Sequence, residues 1–198
     1  MITKFDIYQY WENKSVTRSY KIKSYDECIE DDKAIPIVEF SDSICCWACD
    51  IPSLIFDNEI SEFKSLKEEW NNDKCLQKSH ILAKSLGGNE EAENMFLLCP
   101  ICHAESPDTI NPENFFAWIY YKRNNENYTQ IIERELEKAI KIKNVNYKIV
   151  EDYFSDCNYY KMMTIRKKII KSSTLHGSFV SMSSKMMALL DEIIRDKY

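Results

Sequence analysis

CLQKSHILAKSLGGNEEAENMFLLCPICHAESPD, residues 75–108, is the stretch around which the rest of the chain is read. It holds two of the three histidines (His80, His103), two of the three glycines (Gly87, Gly88) and a Cys-x-x-Cys pair, Cys99 and Cys102. Gln77–Ala83 mixes β-branched and apolar residues and predicts a strand with His80 near its end. Ser85-Leu-Gly-Gly is a turn signal, and the short apolar run Met95–Leu98 predicts a second strand. Pro100 suits a first helical position, so His103 falls on the opening turn of a helix.

A second pair, Cys46-x-x-Cys49, lies some fifty residues upstream. Cys45 or Cys46 could pair with Cys49. The x-x spacing lets two sulfurs reach one tetrahedral ion at ~2.3 Å, which selects Cys46. Two such pairs, one flanked by a histidine, point to a closed Cys₄ zinc site made of Cys46, Cys49, Cys99 and Cys102. Such a site has no open position and holds the fold together. Cys28, Cys75 and Cys157 stand singly and read as small buried side chains.

The composite His80-Ile…Gly87-Gly88…Asn94-x-x-x-Leu98-Cys99-x-x-Cys102-His103 resembles the HNH endonuclease motif, the ββα-metal fold. His80, Asn94 and His103 match its three letters in order, and the cysteine pairs resemble the zinc knuckle that many members carry. The match covers roughly residues 44–120. It implies that His80 is the general base, its ring oriented by a backbone carbonyl of the following loop. It also implies that Asn94 steadies the loop between the strands and that His103 ligates a catalytic divalent ion. Histidine suits the base because its ordinary pKa, near 6.5, is poised by small shifts. Many members place an aspartate or histidine ligand immediately before the base, where this chain has Ser79, a weak ligand for Mg²⁺. Glu93, Glu105, Asp108 or water are the candidates to complete that site. The ion is Mg²⁺ or another divalent ion (Mn²⁺, Ni²⁺, Zn²⁺).

The 198 residues suffice for one good core or a core with a small appended unit. No run of 18 apolar residues occurs, so no membrane span is expected, and the polar N-terminal stretch predicts a cytoplasmic protein. Net charge is −6, which argues against a general polyanion binder. Its distribution is uneven: −3 over residues 1–43, −7 over 44–111 and +4 over 112–198. Phosphate contacts are therefore sought in the last third, where Lys161, Arg166, Lys167, Lys168 and Lys171 cluster, although such a run is more often a solvated helix face.

The resulting expectation is an α+β protein: an N-terminal extension (1–43), a ββα-metal (HNH) core with a structural zinc site (44–125) and a helical C-terminal region (126–198). Within it, Ile35–Val38 predicts an edge segment, 59–72 a surface helix, Pro112 a helix start capped by Asn111 or Thr109, and 128–143 and 181–197 further helices. His176 has no partner motif. The resemblance implies a DNA-cleaving endonuclease of restriction, phage defence or a mobile element, acting as a homodimer or with a partner protein. A zinc-knuckle module that binds nucleic acid or a partner, its nuclease site degenerate, is the alternative. A toxin-like nuclease with an immunity partner is the third.

Overall fold

The computed structural model describes residues 2–28, 33–38, 44–53, 65–172 and 181–197. It is a mixed α+β chain of small sheets and helices, folded as two compact units, Met1–Tyr128 and Thr129–Tyr198. Among the described residues no helix is long and apolar enough to cross a membrane.

The first unit is built on an antiparallel hairpin. Strand β4 (Gln77–His80) pairs with β5 (Met95–Leu98), and His80 stands opposite Met95. All four residues of β5 are buried, so this strand reads as a continuous apolar run. Phe96, fully buried, lies at the centre of an aromatic cluster. Trp11, Trp47 and Phe115 meet its ring edge-on at centroid distances of 5.5, 5.0 and 5.3 Å.

Strand β4 ends three residues sooner than the sequence suggests. The Ile81 amide still donates to the Asn94 carbonyl at 2.9 Å. At Leu82, however, the Asn94 side chain takes both backbone groups, accepting from the amide at 2.8 Å and donating to the carbonyl at 3.0 Å. A side-chain amide thus replaces the next rung of the ladder.

The segment before the hairpin is built into the same unit. Helix α1 (Lys4–Trp11) opens with a capping box in which Thr3 and Asp6 satisfy each other's donors. It ends on Trp11, whose indole N–H is shared between the carbonyls of Met95 (2.8 Å) and Ala92 (3.1 Å). Strands β1 (Lys14–Val16), β2 (Ile22–Ser24) and β3 (Ile35–Pro36) follow in the order β2-β1-β3, so the proline strand is at an edge, where its missing N–H costs nothing. Helix α2 (Leu66–Asn72) stacks Trp70 on Tyr8 of α1 at 4.8 Å. Residues 59–64 of the expected helix lie outside the described residues, as does His176.

Helix α3 (Pro100–Glu105) follows β5 directly, and α4 (Pro112–Asn125) is capped by the Asn111 side chain on the Glu113 amide. Phe115, Phe116 and Ile119 of α4 are buried. One turn on, the same stripe continues as Lys122 and Arg123, equally buried.

The second unit contains α5 (Tyr128–Lys143, from its second residue on), α6 (Tyr147–Ser155), α7 (Tyr159–Ser172) and α8 (Met182–Lys197). Asn144, at φ +52°, breaks the chain after α5, and Asn146 caps α6. Ile140, Val150, Ile165, Leu189, Leu190 and Ile193 share its core. Two of the clustered lysines of α7 are engaged within the unit: Lys168 pairs with Glu192 (2.8 Å) and Asp196 (3.8 Å), and Lys161 lies over the Tyr153 ring. Lys167 is exposed, and the side chains of Arg166 and Lys171 lie outside what the structure describes.

Candidate metal centre and adjoining histidines

The four cysteines selected by spacing come together. The sulfurs of Cys46, Cys49, Cys99 and Cys102 all lie within 4.8 Å of one another, and all four residues are buried. Cys49 and Cys99 approach to 3.9 Å, close to the edge of about 3.8 Å that a tetrahedron with ~2.3 Å metal–sulfur bonds requires. Cys45 is not in the group; it pairs across a single bridge with Pro52.

Local backbone geometry builds each half of the centre. The Cys46 amide donates to the Ile51 carbonyl (3.0 Å) and the Asp50 amide to the Cys46 carbonyl (2.9 Å), so residues 46–51 close as a tight turn. Asp50 takes a φ of +59°, a region that Asp and Asn enter more readily than most residues. The Trp47 amide fastens this turn to β5 through the Leu97 carbonyl at 3.1 Å. On the other side, Cys99 is the N-cap of α3, its sulfur accepting from the Cys102 amide at 3.4 Å. The Cys99 amide in turn donates to the Cys46 sulfur at 3.2 Å and links the two halves.

The donor set fits a cation. Hydrogen bonds from Cys102 first, then from Cys46 and Cys49, hold the Cys99 thiol well below the usual range. The neighbouring sulfurs and burial push the Cys102 thiol far up. Four sulfurs this close therefore do not all ionise unaided, whereas a divalent ion at their centre lets each serve as a thiolate. The buried Cys₄ cluster can hold a metal ion such as zinc.

Of the three residues singled out with this centre, His103 directly follows Cys102, whereas His80 and Asn94 stand at the far end of the hairpin, where His80 pairs with Met95 while Gln77 pairs with Leu98 beside Cys99. His80 closes β4, and its Nε2 is buried with no hydrogen-bond partner, so the expected orienting carbonyl is not found. Asn94 pins the loop between the strands at three points: the amide and carbonyl of Leu82 and, at 2.8 Å, the carbonyl of Asn89. His103 is exposed on α3, the residue next to Cys102.

The loop that Asn94 pins also depends on Gly88. A Cβ there would stand 1.8 Å from the Leu82 carbonyl oxygen and 2.8 Å from Asn94 Nδ2. Gly88→Ala is expected to break the Asn94–Leu82 pair and destabilise the first unit by about 1–3 kcal/mol, read from urea unfolding. A variant as stable as the parent would mean that the loop yields freely.

The further candidates for a catalytic ion are mostly committed elsewhere. Glu105 pairs with Lys122 at 2.5 Å, and Glu93 accepts from Asn89 at 3.5 Å. Ser79 is buried, its hydroxyl 3.4 Å from that of Ser106, which donates to the His103 carbonyl at 2.9 Å. Asp108 is exposed. Among the described residues no second group of three His, Cys, Asp or Glu ligand atoms forms around His103.

Lys122, Arg123 and Asp50 are the neighbours of the centre that the motif reading passed over. Lys122 binds Glu105 and Glu126, and Arg123 binds Asp50. Burial opposes the Lys122 ammonium, but its hydrogen bonds to Glu105 and Glu126 prevail and hold its pKa above the ordinary lysine range. The one available signal was positional: these two cations continue the apolar stripe of α4 at i+3 and i+4 from Ile119. Comparison with family models, curated proteins and solved structures yields no match to this chain.

Proposed function

We propose that the chain is an HNH endonuclease of the ββα-metal kind. In this reading it hydrolyses DNA phosphodiester bonds in a divalent-ion-dependent reaction and serves restriction, phage defence or a mobile element. The observation that carries the reading is the arrangement of one hairpin and the helix after it. His80 ends the first strand, Asn94 holds the loop, and His103 follows the cysteine centre on the helix.

The chemistry follows from these positions. Nε2 of His80 is buried, and Nδ1 is the nitrogen proposed to meet water. Nδ1 takes a proton from that water while the oxygen bonds to phosphorus in line with the 3′ oxygen. The P–O3′ bond breaks, its electron pair leaves on that oxygen, and solvent supplies the proton. When Nδ1 accepts, Nε2 carries its hydrogen without an acceptor, at a cost of about 1–3 kcal/mol. Asn94 acts at one remove, by fixing the loop that follows the base. His103 would supply one ligand to a divalent ion whose charge stabilises the leaving oxygen, with water and substrate oxygens completing its shell. Zinc in the cysteine centre would be structural.

A plasmid-nicking assay with Mg²⁺, Mn²⁺ or Ni²⁺, run beside His80→Ala and with bound zinc quantified, tests the proposal. The expected result is ion-dependent nicking that falls about 10²–10⁴-fold in the variant, with zinc retained by both proteins. Zinc without nicking under any ion would favour a second reading, a zinc-knuckle module that binds nucleic acid or a partner. The commitment of Glu105 to Lys122 and of Ser79 to Ser106 supports that alternative.

A further inference from the structure

The cysteine centre is assembled from two segments about fifty residues apart in sequence, and one helix reaches both. Lys122 and Arg123, consecutive on α4, are only 7% and 6% exposed. Lys122 Nζ lies 2.5 Å from Oε2 of Glu105, on the helix that carries Cys102 and three residues beyond it. Arg123 pairs through Nη1 with Asp50, the residue after Cys49, and donates through Nη2 to the Pro36 carbonyl at 3.1 Å. Adjacent cations on one rigid helix thus hold the residues just past each cysteine pair. Side chains outside a metal's own ligands commonly set ligand position and retention in this way.

We propose that Lys122 and Arg123 are positioning residues that clamp the two halves of the Cys₄ centre together and so set how tightly it retains zinc. The inference rests on the reading that the centre holds zinc. It differs from a general role in stability because the clamp's partners are unequal. Glu105 and Asp50 belong to the cysteine-bearing segments, whereas Glu126, the other partner of Lys122 at 2.7 Å, lies one turn further along the same chain path as α4 and carries no ligand. Losing Glu105 or Asp50 opens the clamp; losing Glu126 does not.

The test uses the full-length protein and three charge-removing variants of similar shape: Asp50→Asn, Glu105→Gln and, as control, Glu126→Gln. Asparagine tolerates the positive φ at position 50, so that change adds no backbone strain. Zinc content is measured first, and release to a colorimetric chelator is then followed. Asp50→Asn and Glu105→Gln are each expected to lose zinc about 10-fold faster or more, the pair together faster than either, and Glu126→Gln at the parental rate. The absorption bands of the cobalt-substituted protein are expected to shift in the first two variants and not in the control.

Release at the parental rate from both clamp variants would overturn the clamp, as would equal acceleration by Glu126→Gln. A clamp variant that folds only with excess zinc would support it, since the cation then ties the halves alone. One that fails to fold even with excess zinc would overturn it, because the pairs would then serve the core. Parent protein that neither contains nor takes up zinc would overturn the zinc reading and the clamp with it.

Discussion

Stripping the metal from the cysteine centre with a strong chelator is expected to unfold the first unit while leaving the helices of the second in place. The four sulfurs join two segments that otherwise meet mainly through the Trp47–Leu97 backbone hydrogen bond, the edge-on contact of Trp47 with Phe96 and the α4 ion pairs. Structural zinc binding is worth about 10–16 kcal/mol in small zinc domains, comparable with the whole stability of a domain, about 5–15 kcal/mol. The readout is unusually clean. All four tryptophans (Trp11, Trp47, Trp70, Trp118) belong to the first unit, so their fluorescence reports on it alone. Far-ultraviolet circular dichroism would retain the helical signal of α5–α8, whose core shares no residue with the cysteine centre. Acidification should act in the same direction, because protons compete for the thiolates. Unchanged tryptophan emission after complete zinc removal would show that the aromatic core stands without the cation.

Phe96→Ala carries the second large effect. The ring is fully buried and meets Trp11, Trp47 and Phe115 edge-on, with Phe116 at 6.4 Å, so its loss opens a cavity at the point where α1, the knuckle turn and α4 converge on the hairpin. Truncations of this kind cost about 3–5 kcal/mol, a large part of a domain's stability. Urea unfolding followed by tryptophan fluorescence would measure it, with Ile110→Ala as control. Ile110 is 77% exposed, so its truncation should stay within about 0.5 kcal/mol of the parent. A Phe96→Ala loss below about 1 kcal/mol would mean that the surrounding rings collapse into the gap.

What could be read in advance followed from how local each signal was. The turn signal at Gly87-Gly88 and the apolar run Met95–Leu98 marked the hairpin, because turn chemistry and burial act on neighbouring residues. Pro112 marked the start of α4 for the same reason, and of the two cap candidates, Asn111 and Thr109, the structure uses Asn111. The end of β4 was not legible, since it depends on Asn94, twelve residues away, capturing both backbone groups of Leu82. Nor was the commitment of Glu105, which stands among the acidic candidates beside His103 but is answered by a lysine seventeen residues on.

By itself, then, the sequence determined the α+β class and the two cysteine pairs, because Cys-x-x-Cys spacing lets two sulfurs reach one ion whatever surrounds them, and the presence of both pairs pointed to the grouping of Cys46, Cys49, Cys99 and Cys102 that packing brought about. Only the tertiary structure decided what flanks that centre. It set Lys122 and Arg123 against Glu105 and Asp50, buried Nε2 of His80 without a partner, and closed Ser79 against Ser106. Each of these is a pairing across a chain separation or a loss of solvent around one atom. Both come from packing, on which a residue's sequence neighbours place almost no constraint.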